Sequence, residues 1–104
     1  MFGTRRSSIE QVPAHGWQAW VEDNDGVLLD VREPAEWVQG TLPESVMVSL
    51  AFLPASLGKL DTNRPVLVVC RSGNRSMVAA EFLARNGYHA ANLVGGLASI
   101  GLAL

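Results

Sequence analysis

An α/β domain of three layers, with helices on both faces of a mostly parallel sheet, is the architecture this 104-residue sequence predicts. Three observations carry the prediction. Val66-Leu67-Val68-Val69 and Val27-Leu28-Leu29-Asp30-Val31 are near-continuous aliphatic runs, the pattern of strands buried on both faces. Good helix formers fill the stretches between such runs, most clearly from Ser76 to Asn86, where Gly87 stands in position to end the helix. Turn clusters of Asp, Asn, Gly and Pro separate the two kinds of segment.

In chain order, the first residues, Met-Phe-Gly-Thr-Arg-Arg-Ser-Ser, lack the apolar core of a secretory signal, so residues 1–8 read as a flexible arm and the protein as cytoplasmic. Ser7 to Glu22 is expected to hold a short strand or extended lead-in, then a helix begun near Pro13. That helix places Trp17, Trp20 and Val21 on one core-facing side. Asp23-Asn24-Asp25-Gly26 is a turn, and Val27 to Val31 is the first clear strand. Pro34 opens a short helix, Ala35 to Gln39, closed by Gly40. Val46 to Leu50 reads as a strand, and Ala51 to Leu60 as a helix that must accommodate Pro54. Asp61 to Pro65 turns into the central strand, and Ala90 to Val94 is the last strand.

Composition narrows the function. Hydrophobic content of 48% with 17% charged residues describes one folded domain spanning residues 1–104. A chain of this length buries about 65% of its unfolded surface. A formal net charge of −2 offers no general attraction to nucleic acid or to an anionic membrane. No apolar run reaches the length of a membrane span. One cysteine excludes an internal disulfide framework, and neither Cys nor His is spaced as a metal site, so no metal or cofactor is expected. His15 and His89 read as surface or loop residues.

The single cysteine, Cys70, falls where the central strand ends and a polar loop leads into a helix. Open α/β sheets place their ligand sites at such junctions. Amides of the loop and first helical turn lack intrahelical partners and are free to converge on an anion, and a thiolate is an anion. Those donors, the helix dipole and the charges of Arg71 and Arg75 all favour ionisation. A lone cysteine is often only a small buried hydrophobe. Two arginines, two serines, an asparagine and a glycine within the next six positions point instead to a reactive thiol.

Three segments then resemble the rhodanese-like sulfurtransferases. Cys70-Arg71-Ser72-Gly73-Asn74-Arg75-Ser76 is similar to that family's active-site loop. Val27-Leu-Leu-Asp30-Val-Arg32-Glu33-Pro34-Ala-Glu36-Trp37 resembles its upstream Asp-x-Arg-x-x-x-Glu segment, and Leu93-Val-Gly95-Gly96 its late strand and Gly-Gly turn. The likeness runs from about Ile9 to Leu97. It implies a five-stranded central sheet flanked by helices, with Asp30 and Arg32 buttressing the site. Read without the resemblance, that pair is a strand-end ion pair or turn network.

The chain departs from the family pattern in two places. Gly40-Thr41-Leu42-Pro43-Glu44-Ser45 lacks the usual histidine and has Glu44 where relatives have a second glycine, which predicts altered loop packing rather than lost activity. Ile100 stands where relatives have a tryptophan, and Gly101 arrives early, which predicts a curtailed last helix. Ala90 to Leu104 carries no charge, and Leu97 and Ile100 are expected to fold back over the sheet.

The chemistry implied is sulfur transfer. Thiolate Cys70 takes the sulfane sulfur of a small anionic donor such as thiosulfate, and the persulfide rests among the amides of residues 71–76. A small thiol, cyanide or a protein thiol then collects it. Arg71 and Arg75 are expected to bind the donor, with Ser72 and Ser76 as hydroxyl donors or a helix cap. Gly73 and Asn74 complete the loop. A monomer is expected. The alternatives are a phosphatase or arsenate reductase, for which no aspartic general acid follows the loop, and a non-catalytic or redox-sensing module.

Overall fold

The computed structural model describes residues 9–102. The arm expected over residues 1–8 lies outside the described residues, as do Ala103 and Leu104. Glu10–Val12 (β1), Val27–Asp30 (β2), Val46–Met47 (β3), Val66–Val69 (β4) and Ala90–Leu93 (β5) form one sheet in the order β1-β5-β4-β2-β3. Every pairing is parallel. The fold is therefore the five-stranded α/β sandwich that the sequence implied, with β4, buried along its whole length, at its centre.

Alternation along each strand divides the core in two. Leu29 and Val68 face a helix over Asn74–Arg85 (α3) and a long 3-10 segment, Leu50–Lys59, packing on Leu53, Ala79, Ala80 and Leu83. Leu28, Leu67 and Leu93 face the other way, toward a helix over Trp17–Asn24 (α1) and a final turn of helix. Trp17, Trp20 and Val21 pack into that second cluster, as the spacing of α1 predicts. A 3-10 turn, Ala14–Gly16, leads into α1.

The short helix after β2 spans Pro34–Trp37 (α2). Strand β3 stops after two residues instead of continuing to Leu50. The amides of Val48 and Leu50 still donate to Asp30 and Val31, but the chain is already curling into the 3-10 segment. That segment was expected to be an ordinary helix. Pro54, inside it, has no amide hydrogen and crowds the carbonyl four residues back, which favours the tighter winding. Helix α3 begins at Asn74, two residues before the sequence suggested, and ends in a Schellman motif. There Gly87 donates to Ala84 O at 3.2 Å and Tyr88 to Leu83 O at 3.0 Å.

Glu44 takes a left-handed backbone conformation of the kind that favours glycine. Its φ is +66°, following Pro43, and Ser45 N–H donates to Leu42 O at 3.3 Å, which together make a type II turn. A side chain in this region carries strain of about 1 kcal/mol.

The last helix, Gly96–Ser99 (α4), is a single turn. Leu97 is fully buried, and Ile100 and Leu102 pack partly buried on the same cluster, so the apolar tail folds back over the sheet. Placing a carboxylate at Ile100 removes apolar burial and puts a charge against the α1 face. Ile100→Asp is expected to cost about 2 kcal/mol in denaturant unfolding with no change in sedimentation.

Candidate functional site

Loops after β4 and β2 leave toward opposite sides of the sheet, because β5 lies on one side of β4 and β3 on the far side of β2. The crevice between their carboxyl ends is the switch point at which α/β sheets hold ligands. The register sets Asp30 beside Val69, so Cys70 and the Asp30–Arg32 segment emerge side by side.

Cys70 is 1% exposed and faces α3. Gly73, with φ of +104°, caps the helix and turns the chain so that first-turn amides point back at the sulfur. The Gly73 amide donates to Sγ at 3.1 Å and the Ser76 amide at 3.3 Å. Thiol Sγ also lies 3.3 Å from the Ser76 hydroxyl oxygen, to which it donates. Burial pushes the thiol up. Hydrogen bonds that the ionised sulfur can receive, from the Ser76 hydroxyl once its proton turns to it and from the amides of Ser76, Gly73 and Ser72, together outweigh burial and leave Cys70 more acidic than an ordinary thiol.

The loop is held from behind by α4. Leu97 N–H donates to Cys70 O at 2.8 Å and Ala98 N–H to Arg71 O at 3.0 Å. In a trans peptide the carbonyl and the next amide point in opposite directions, and no cis bond occurs among the described residues. Tying the Arg71 carbonyl to α4 therefore aims the Ser72 amide toward the sulfur. Gly96 makes the contact possible, because a methyl group there would overlap the carbonyl of Arg71 and the Cys70 oxygen.

Charges brace the loop from the front. Arg75 forms a two-pronged ion pair with Glu36, Nη1 to Oε1 at 2.7 Å and Nη2 to Oε2 at 2.9 Å. The same Oε1 accepts the Glu33 amide at 2.9 Å, so one carboxylate caps α2 and anchors α3. The Arg75 hydrogen bond holds the Glu36 carboxyl down to about 2. Asp30 and Arg32 form a fully buried pair, Nη2 to Oδ2 at 2.8 Å, and Nη2 also donates to Gly40 O at 2.7 Å. That last bond fastens the chain just beyond α2 to the end of β2. Arg32 Nη1 is buried with no hydrogen-bond partner among the described residues.

Thus the structure brings Cys70, Gly73 and Ser76 into contact, sets Arg75 beside them in its ion pair with Glu36, and leaves Asp30 and Arg32 at the end of the neighbouring strand, one step removed from the sulfur. Arg71, Ser72 and Asn74 lie exposed on the rim, and the Arg71 side chain makes no hydrogen bond or ion pair among the described residues. His15 and His89 are exposed. Glu36 was not singled out from the sequence as a site residue, though its place four residues after Arg32 was the available signal. The roles of Leu97 and Ala98 left no signal, since only their backbone acts. Two cavities, of about 300 and 270 Å³, lie away from Cys70, one beside Gly26 and Arg64, the other between α2 and the 3-10 segment.

Comparison with known proteins places the fold and the family. The family model described as "Rhodanese-like domain" matches residues 14–102. A protein named "Sulfurtransferase" from Allochromatium vinosum is 35% identical over 81 residues, 77% of this chain and 76% of its own. The thiosulfate sulfurtransferase GlpE of Pseudomonas syringae is 29% identical over 82 residues, 79% of this chain and 76% of its own. The crystal structure of a rhodanese-like domain protein from Staphylococcus aureus superposes with a TM-score of 0.83 at 26% identity, covering 89% of this chain and 92% of that one.

Two expectations follow from the bracing. Gly96→Ala should cost about 3 kcal/mol and, by displacing the loop carbonyls, move the Cys70 titration back up toward an ordinary thiol, as read by alkylation rate against pH. Glu36 has a folded pKa below its unfolded one, so its stabilisation is complete above about pH 4.5 and is lost as pH falls toward about 2. In Glu36→Gln the fall of unfolding free energy across that window should be shallower than in the unaltered protein.

Proposed function

Since the chain belongs to the rhodanese-like family, and with it to the sulfurtransferases, we propose that Cys70 carries sulfane sulfur from a small anionic donor of the thiosulfate type to a thiophilic acceptor. The observation that supports this most is the sulfur itself, set before amides of Gly73 and Ser76 at the start of a 12-residue helix. Such a cradle stabilises a bound anion without a base to remove its proton.

In the proposed cycle the Cys70 thiolate attacks the outer sulfur of thiosulfate. The donor's S–S bond breaks, sulfite departs with the bonding pair, and Cys70–S–S⁻ remains. The terminal sulfur of the persulfide, now the anion, is held by amides of residues 71–76 and by the dipole of α3. A thiol, cyanide or protein cysteine then attacks that terminal sulfur, and the thiolate is restored. Lone-thiol chemistry of this kind fits the reducing cytoplasm.

The arginines divide their work. Arg75 is bound to Glu36 and supplies positive field from the side, whereas the uncommitted guanidinium of Arg71 is the group to meet the incoming dianion. Asp30 and Arg32 act as support: their pair holds Gly40, and α2 in turn presents Glu36 to Arg75.

Intact-mass measurement after thiosulfate treatment tests the assignment. One added sulfur, removed by cyanide and absent in Cys70→Ser, is the expected result. An adduct that persists in Cys70→Ser, or none in the unaltered protein, overturns it. Arg71→Ala is expected to raise the KM for thiosulfate by about fivefold with a smaller change in kcat, an effect that fades as salt is added.

A further inference from the structure

A thread of uncharged polar side chains runs from the sulfur to the edge of the sheet. Thiol Sγ of Cys70 donates to Ser76 Oγ at 3.3 Å, Ser76 Oγ donates to Asn92 Oδ1 at 2.5 Å, and Asn92 Nδ2 donates to Gln11 Oε1 at 3.0 Å. Gln11 Nε2 donates in turn to Ile9 O at 3.1 Å and to Met77 Sδ at 3.1 Å. Ser76 is fully buried and Asn92 is 3% exposed, against a cluster of apolar side chains on this face. Register explains how they meet, since Gln11 pairs with Asn92 on neighbouring parallel strands and both point toward α3.

The direction of this thread follows from its far end. A backbone carbonyl can only accept, so Ile9 O requires the amide nitrogen of Gln11 to face it. Gln11 therefore turns Oε1 to Asn92, and Asn92 must answer with Nδ2. That leaves Asn92 Oδ1 facing Ser76, which is obliged to donate its one hydroxyl proton there. What Ser76 then offers the sulfur is a lone pair. A lone pair suits a thiol, which has a proton to give, and opposes a thiolate or persulfide, which needs a proton received.

We propose that Asn92 is a positioning residue of the sulfur site, holding the Ser76 proton away from Cys70 in the resting thiol and releasing it when the sulfur becomes an anion. Ser76 is then a hydroxyl with two settings, acceptor to the thiol and donor to the anion. Asn92 sets the balance between them and so checks how freely the resting cysteine ionises. The charged groups around the pair are Arg75 on α3 with its partner Glu36 on α2, and the Asp30–Arg32 pair at the end of β2. The only polar side chains that β5 and β1 present to this side are Asn92 and Gln11, while Glu10 lies 3.6 Å from His89. None of these charges touches the Ser76 hydroxyl, so the setting is decided by neutral hydrogen bonds. The inference rests on Cys70 as the sulfur carrier, but its test reads the thiol alone, so the two fail separately.

Cys70 ionisation, followed by ultraviolet thiolate absorbance and by iodoacetamide rate against pH, is to be compared in the unaltered protein, Asn92→Leu, Gln11→Leu, Ser76→Ala and Asn92→Leu/Ser76→Ala. Asn92→Leu frees the hydroxyl to turn to the sulfur. Below the thiol titration its alkylation rate should rise by about threefold to tenfold, the reach of one hydrogen bond. Gln11→Leu, on the exposed edge strand, frees the Asn92 amide to turn and should shift the rate the same way by less, which keeps the test alive if the buried variant does not fold. The gain from Asn92→Leu should vanish when Ser76 is alanine. A rate that falls or stays unchanged in whichever variant folds, or a gain that survives in the double variant, overturns the proposal.

Discussion

Everything at the sulfur depends on which way two peptide groups face. The carbonyls of Cys70 and Arg71 are drawn back by the first amides of α4, and planar trans geometry then sends the Ser72 N–H toward the thiol, beside the amides of Gly73 and Ser76. A loop free to rotate would present carbonyl oxygens as readily as amides and would repel an anion. The close approach that prevents this admits no Cβ, which is why a glycine stands at position 96. Buried Leu97 in turn fixes α4 to the sheet, so a small hydrophobic contact on one face sets the electrostatics of the loop whose sulfur lies on the other.

The charged residues serve the same end from outside. Asp30 and Arg32 carry a buried pair whose net contribution to stability is modest, because desolvation offsets most of the attraction. Its value lies in direction: Arg32 reaches Gly40, and the short helix so fastened offers Glu36 to Arg75. Removing any one link leaves a polar group stranded near the core. The network thus resists change at every member, although only the last of them borders the loop.

Across the sheet, Ser76, Asn92 and Gln11 replace what would otherwise be aliphatic packing. Every link in that thread is satisfied, and its polarity is anchored by a backbone carbonyl, so it specifies one arrangement rather than weakening the core. It also joins β1, an edge strand, through β5 to the cysteine at the end of the central strand.

What the sequence by itself determined was the layering and the position of the thiol. Aliphatic runs, turn clusters and the place of Cys70 between strand and helix are local properties, written in consecutive residues and readable by period and composition. Local signals were weaker where two tendencies competed: Val46 to Leu50 looked like strand, yet a tight helical run begins at Leu50, and Pro54 gave only a hint of its winding. Tertiary structure alone decided the partners. That Arg75 faces Glu36 across 39 positions, that Asn92 meets both Ser76 and Gln11, and that α4 holds the loop by its carbonyls are facts of strand order and register. Hydrogen bonds of this kind join residues distant in sequence, and the backbone donors among them carry no side-chain identity to be read.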